Sequence, residues 1–499
     1  MKNLKVLLFP MLFVFLFFAC ENKDDEIKDM QNPSADFNLT PTNPIEGEEI
    51  LFYADPEENS GDIVDWYWTF GDTNSSNSNK RNPYFTYPSQ GTYEVILRVL
   101  NSNGISMESS KQITVSLPPP DEFPATIAWE FSTNTAVSGI NDGSSSPVIG
   151  NDGTIYYTES RAGENSKVVA VIDQGESAEL KWTSEPLGGE LPNAPSIGPD
   201  GNILINAWAD DNAINKLSAA DGTIMWSGGI GTDVSNSTPA VDSQGNSYHG
   251  SRAQGENGGV YSWTSGGERR WEITGVGAFY SSPVISADES TVYFLNTNEG
   301  MIWAVNTEDG SPKWEAPVGE GSGIHGSSLS MDADGTIYYT TNVHVVAVTD
   351  GGETGSIKWS VEIEGASNSG VVIGPGGDLY TGATSGLYSL NPTDGAINWV
   401  YEIEIAESVP AVDVHGNVYV GSTNGYLYIV NSEGGQIKEL ELGDSVVNSP
   451  TISDDGTIFI EAASGGVIKL IKIGVENSGP AESPWPMKGQ NVKNTCVAQ

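Results

Sequence analysis

The sequence predicts an all-β chain, and three observations carry that prediction. No stretch of the 499 residues sustains a helical period, whereas short runs rich in Val, Ile, Tyr and Trp, alternating or fully apolar, recur along its length. Gly supplies 58 residues, Tyr 19 and Trp 13, a composition suited to many short strands joined by tight turns. Between Ile127 and Leu470, finally, one phrase is written eight times: an apolar-Pro-apolar strand, a turn ending in Gly, a β-branched or aromatic strand, a loop, a third strand, then Asp-Gly and a Trp. The first copy opens SSPVIGNDGTIYY, and the phase marker falls at Pro147, Pro195, Pro239, Pro283, Leu329, Val371, Pro410 and Pro450, steps of 39 to 48 residues. A strand-rich repeat of that period is a propeller blade, so residues 125–473 read as an eight-bladed β-propeller.

In chain order, residues 1–19 carry Lys2 and Lys5, an apolar run from Val6 to Ala19 interrupted by Pro10, and a small residue before Cys20. About 14 apolar residues fall short of the roughly 20 that a spanning helix needs, so the segment reads as a secretion signal. FFAC resembles a relaxed bacterial lipoprotein box, which implies lipid attachment at Cys20; a plain cleaved signal peptide is the alternative. Residues 20–32, with ENKDDEIKD, have nothing to bury and read as a disordered acidic tether. The acidic start resembles the signal that Bacteroidetes-type bacteria use to export lipoproteins to the cell surface, and a solvated spacer explains it equally well.

Residues 33–116 alternate in ILFYA, WYWTF and TYEVILRV, the pattern of sandwich strands. Trp68 and Phe70 share a strand face and fill the core, while Gly71 and Asp72 turn the chain. WTFGD followed by NPYFTYPSQGTYEVILRV resembles a PKD domain, an immunoglobulin-like β-sandwich; Thr73 stands where that family usually has Gly. The resemblance implies a spacer or weak adhesion module. LPPPDEFP, within residues 117–124, reads as a stiff linker.

Each repeat closes on Asp-Gly, the hairpin turn, and a Trp able to pack between blades: Trp182, Trp226, Trp271, Trp314, Trp359 and Trp399. Glu439 breaks the series in the seventh repeat. Trp129 precedes the first, so its strand is expected as the outermost of the last blade, latching the ring. These A-x-N/D-x-x-D-G-x-x-x-W repeats resemble those of PQQ-type β-propellers, and PWPMKGQNVKNT in the tail, residues 474–499, resembles a segment found beside them, expected to fold across the ring.

Charge and motifs narrow the chemistry. With 22 Lys and Arg against 66 Asp and Glu, a net charge of -44 repels phosphate backbones, so no nucleic-acid partner is expected. That charge suits solubility outside the cell; an acidic face for cations or basic proteins is the sharper alternative. Cys20 and Cys496 are the two cysteines, and with Cys20 lipidated Cys496 is expected as a lone thiol near a frayed terminus. The four His, at 249, 325, 344 and 415, sit in separate repeats without zinc spacing, and His415 reads as a surface turn residue. The turns NDG, DADG and DDG lack the ligand series of a calcium loop and read as turn-forming Asp. Enzymes of the PQQ family hold the quinone with calcium, an acidic base and often adjacent cysteines; none of these can be matched here, so no catalytic residue, cofactor or metal is expected.

The loops after the second strand are long in the first three repeats and brief in the rest. TESRAGENSK and HGSRAQGENGG share R-A-(Q)-G-E-N, raising Arg161 and Arg252, with Trp208 between them in NAWADDNAINK. Together with Tyr280 and His325 in the loops leading into repeats four and five, they form the candidate binding face, since Arg forks and aromatic rings grip carboxylates, sugars or peptides. Descent from one duplicated repeat, with each Arg paired to Glu164 or Glu256, and a plain polar lining around His325 remain open.

The reading is a non-enzymatic, lipid-anchored envelope protein, at the outer membrane and facing the cell surface or the periplasm, whose propeller binds a protein or a glycan. It resembles the lipoprotein propeller of the outer-membrane β-barrel assembly machinery, from which the sandwich and acidic tether depart. The alternatives are a degenerate quinoprotein, a polysaccharide-degrading propeller enzyme, or a purely adhesive surface protein.

Overall fold

The computed structural model describes residues 33–54 apart from 43, 63–116 apart from 73, 123–133, 145–159, 166–207 apart from 190 and 192, 214–229, 237–251, 258–296, 299–317, 328–475 and 479–499. The segments read above as signal and tether, and most of that read as linker, lie outside them. Among the described residues every regular element is a strand, and the chain divides into two compact units at Leu117/Pro118.

The first unit is a β-sandwich. Phe37–Thr40, Glu49–Ala54 and Tyr84–Thr86 make one sheet; Asn77–Ser78, Ile63–Thr69, Gly91–Asn101 and Ser106–Val115 make the other. Trp68 is fully buried, edge-on to Phe37 at 5.1 Å, and its indole donates to the Lys80 carbonyl at 2.9 Å. Asp72 accepts from the Ser76 amide and hydroxyl, each at 2.7 Å, and Gly71 takes a φ of 70°, so the GD pair does the turning that its residue types suggest.

The second unit contains eight four-stranded antiparallel sheets in succession, each ordered from the inner strand outward. Seven are consecutive in the chain. The eighth joins Thr451–Ile452, Ile458–Ser464 and Val467–Val475 to Ala125–Phe131, with Lys472 opposite Trp129, so both ends of the repeat region meet in one sheet. Its inner strand also bonds to the first sheet, through the Ser449 amide to the Ser145 carbonyl at 2.8 Å and the Thr451 hydroxyl to the Pro147 carbonyl at 2.7 Å.

The Asp-Gly…Trp motif has a mechanical explanation. Each Trp donates its indole N–H to the outer hairpin of the next sheet: Trp129 to Asp173, Trp182 to Ala219, Trp226 to Ser265, Trp271 to Thr307, Trp314 to Asp350, Trp359 to Pro392 and Trp399 to Ser432, at 2.7–3.1 Å. Except at Trp129, the ring lies against a glycine of that hairpin. A Cβ on Gly222 would meet Trp182 at 2.5 Å, and one on Gly395 would meet Trp359 at 2.7 Å. Glycine is therefore required there by the neighbour's indole as well as by the turn's positive φ.

The tail is the clearest correction to the sequence reading. Cys496 does not sit near a frayed end: it is 2% exposed, in a segment that crosses the inner strands. The amides of Ile149, Ile197, Val241, Ile285, Ile373 and Val412 donate to the carbonyls of Val492, Lys493, Thr495, Cys496, Trp485 and Pro486 at 2.8–3.0 Å. Six inner-strand edges that would otherwise be unpaired are thus satisfied, and Trp485, Met487, Lys488, Gln490 and Asn494 are buried in the process.

Candidate functional site

Two ends of the ring follow from strand direction. The tail bonds just before the turn between first and second strands, so it occupies the turn end; the lead-in loops and the loops after the second strand share the other. At that loop end the residue two before each phase marker is small and polar, among them Ser145, Ser237, Ser281, Ser369, Ser408 and Asn448, all buried. These side chains tie neighbouring sheets: Ser369 Oγ donates to the Ser408 carbonyl at 2.9 Å and Ser408 Oγ to the Asn448 carbonyl at 3.0 Å, while Asn206 Nδ2, from a second strand, donates to the Ser237 carbonyl at 2.7 Å.

Charge enters where the last sheet meets the first. Glu461, 1% exposed, accepts from Ser145 Oγ and Asn448 Nδ2, both at 3.3 Å. Burial pushes its carboxyl up to about 8; the Ser145 bond and the Lys488 charge oppose this and Glu159 adds to it. Lys488 arrives from the tail fully buried, and burial lowers its ammonium to about 8 against the pull of Glu407, Cys496 and Glu461. Burial also pushes the Cys496 thiol up to about 12. Glu159 accepts from the Thr133 hydroxyl and, at 3.4 Å, from Tyr157. His249 is buried between Asn206 Oδ1 at 2.9 Å and Ser247 Oγ at 2.8 Å, and burial holds its pKa at about 3, so the imidazole is neutral.

Such an arrangement locks sheets together. Among the described residues no three His, Cys, Asp or Glu side chains converge to hold a metal ion. The Asp-rich turns hold their own hairpins: Asp242, Asp332 and Asp413 accept from Tyr248, Tyr338 and Tyr419 at 2.7–2.8 Å. His415 is exposed in its turn.

Of the sequence-predicted binding face, Arg161, Trp208, Arg252 and His325 lie outside the described residues, as does Cys20. Tyr280 is described and is 7% exposed in the lead-in to the fourth sheet, so its ring offers little surface. Sequence reasoning missed Glu461 and Lys488. The signal was available in IFIEAAS, where a lone carboxylate interrupts an otherwise apolar strand at the position of Thr158 and Asn206 in earlier repeats.

Residues 30–116 match the profile of the PKD domain, and residues 210–372 match that of the outer membrane protein assembly factor BamB. The chain carries a PKD domain and a propeller of PQQ-like repeats. It is 28% identical over 221 residues to the outer membrane protein assembly factor BamB of Yersinia pestis, covering 40% of this chain and 56% of that one. Against BamB of Legionella pneumophila the identity is 26% over 182 residues, 35% of this chain and 46% of the relative. The chain thus spans about half the length of these curated relatives. The crystal structure of BamB from Moraxella catarrhalis superposes with a TM-score of 0.51 at 16% identity, over 70% of this chain and 97% of that one, a likeness of fold.

Proposed function

We propose that this chain is a non-enzymatic, lipid-anchored envelope scaffold whose propeller binds a partner protein through its loop end. The observation that carries the reading is the asymmetry of the ring. The turn end is occupied by the chain's own tail, which uses the free inner-strand donors, while the strands that flank the long loops of the first three repeats end on the other side. The relatives named as outer membrane assembly factors support an envelope protein as the partner. Cys20 is the anchor, the acidic segment after it the tether, and the PKD domain a spacer. A strongly negative chain favours basic or neutral surfaces on that partner.

The test is a crosslinked pull-down from native membranes read by mass spectrometry, comparing wild type with Arg161→Ala/Arg252→Ala and with Cys20→Ser. Recovery of a specific envelope protein, lost in the double-arginine variant, is the expected result; Cys20→Ser should leave the membrane fraction. An unchanged set of partners from the double variant would refute the loop-end assignment, and capture of glycan alone would refute the protein partner.

A further inference from the structure

The tail does more than close the turn end: it builds a cavity there. About 520 Å³ in volume, within the usual ~300–1,000 Å³ range of ligand sites, it is walled by Pro480, Pro484 and Pro486, with Met487 and Gln490 on the buried side. Asp454 and Glu482 stand exposed on its rim, and no Lys, Arg or His lines it among the described residues.

Its shape is fixed in advance. Proline φ angles are preset, and Trp485 beneath them is 1% exposed. Ser483 Oγ donates to the Ile373 carbonyl at 2.5 Å, and the Ala481 amide donates to the Val412 carbonyl at 2.8 Å, so the wall is pinned to two inner strands. Gln490 holds a left-handed φ of 77°, uncommon for a residue with a side chain, directly after Gly489 at 64°; a Cβ on Gly489 would meet Asn494 Oδ1 at 2.4 Å. A rigid apolar hollow with a carboxylate rim recognises one chemistry: an aromatic or large aliphatic side chain flanked by cations. The apolar group is desolvated against the half-buried Pro480 and Pro484, above a floor that includes Met487, while the flanking charges meet Asp454 and Glu482.

We infer that the tail cavity is a second binding site, at the turn end, for a basic peptide segment of a partner protein that inserts one aromatic side chain. The site is independent of the loop-end reading, because the two lie at opposite ends of the inner strands.

The probe is acetyl-Lys-Trp-Lys-amide, titrated into the full chain labelled with ¹³C-methyl methionine, with the Met487 signal assigned through Met487→Leu. The Met487 signal is expected to shift saturably while those of the exposed Met107 and Met225 stay in place. Asp454→Arg/Glu482→Arg should weaken binding at least ten-fold; Glu315→Arg/Glu353→Arg, equally exposed but away from the cavity, should not. Acetyl-Glu-Trp-Glu-amide and acetyl-Lys-Gly-Lys-amide should leave Met487 unmoved on the wild-type chain, a comparison that does not depend on any variant folding. A silent Met487, or equal binding of either control peptide, would overturn the proposal. Arg161→Ala/Arg252→Ala should titrate like wild type, so failure at one end of the ring is distinguishable from failure at the other.

Discussion

Replacing Trp314 and the glycine it covers separates the two halves of the inter-sheet contact. Trp314 is 6% exposed, donates to Asp350 Oδ1 at 2.8 Å and lies over Gly355, where a Cβ would fall 2.3 Å from ring atom Cζ3. Trp314→Phe keeps most of the buried ring and loses the bond to a carboxylate, about 1.5–3 kcal/mol. Asp350 retains the Gly352 amide at 2.7 Å and the Tyr293 hydroxyl, so no buried charge is orphaned. Trp314→Ala empties the contact and should cost about 3–5 kcal/mol. Gly355→Ala alone should cost about 1–3 kcal/mol by overpacking; its φ is not left-handed, so the indole is the cause of the cost. In the Trp314→Ala background the same methyl enters emptied space, and the cost should fall below about 0.5 kcal/mol, a coupling that a double-mutant cycle measures. Pulse proteolysis across a urea series, following loss of intact propeller, gives the four stabilities without relying on tryptophan fluorescence. Equal cost of Gly355→Ala in both backgrounds would refute the docking argument.

Glu461→Gln should flatten the pH dependence of stability. The folded carboxyl is raised from 4.5 to about 8, so its contribution is fully present below 4.5 and is lost as pH rises through about 8. Lys488 runs oppositely: lowered from 10.5 to about 8, it contributes fully above 10.5 and loses that contribution as pH falls through about 8. Urea midpoints at pH 5 and pH 8 should therefore differ less in Glu461→Gln than in wild type, and an identical difference would remove Glu461 as the titrating group. Trp485→Ala should destabilise by about 3–5 kcal/mol and speed hydrogen exchange at the Ile373 and Val412 amides, which donate to the carbonyls of Trp485 and Pro486; unaltered exchange there would mean the tail does not hold those edges.

What the sequence disclosed follows from how local each constraint is. The repeat was legible because most sheets solve the same problem with the same residues: a buried inner strand after a Pro, a hairpin whose glycine accepts an indole, and the Trp that supplies one. The latch was legible too, since Trp129 is a fourth strand without the other three. The buried Glu461 and Lys488, each within reach of the other's charge, were not, because only ring closure and the crossing tail bring them near. The tail cavity escaped for the same reason: Asp454 and Pro484 share a wall only once the tail crosses beneath the last sheet. The proposed binding face rests on loop length and composition, which say where variation is tolerated and not which side chains converge.

Glu439 shows how a break in a repeat can be read physically. Every Trp in the series lies on the outer hairpin of the following sheet, so the seventh sheet would need a hairpin joining the third and fourth strands of the eighth. That hairpin does not exist. The third strand, Val467–Val475, leads toward the tail, and the fourth, Ala125–Phe131, enters from the other end of the repeat region. An indole at position 439 would lack both the glycine platform that six of the other seven use and the oxygen acceptor that all seven use. Glu439, opposite Tyr428 in the Trp register, instead accepts from the Gln436 side-chain amide at 3.1 Å within its own strand. The exception and the latch are therefore one fact: closing the ring with a strand from the chain's beginning removes the hairpin, and with it the reason for the Trp.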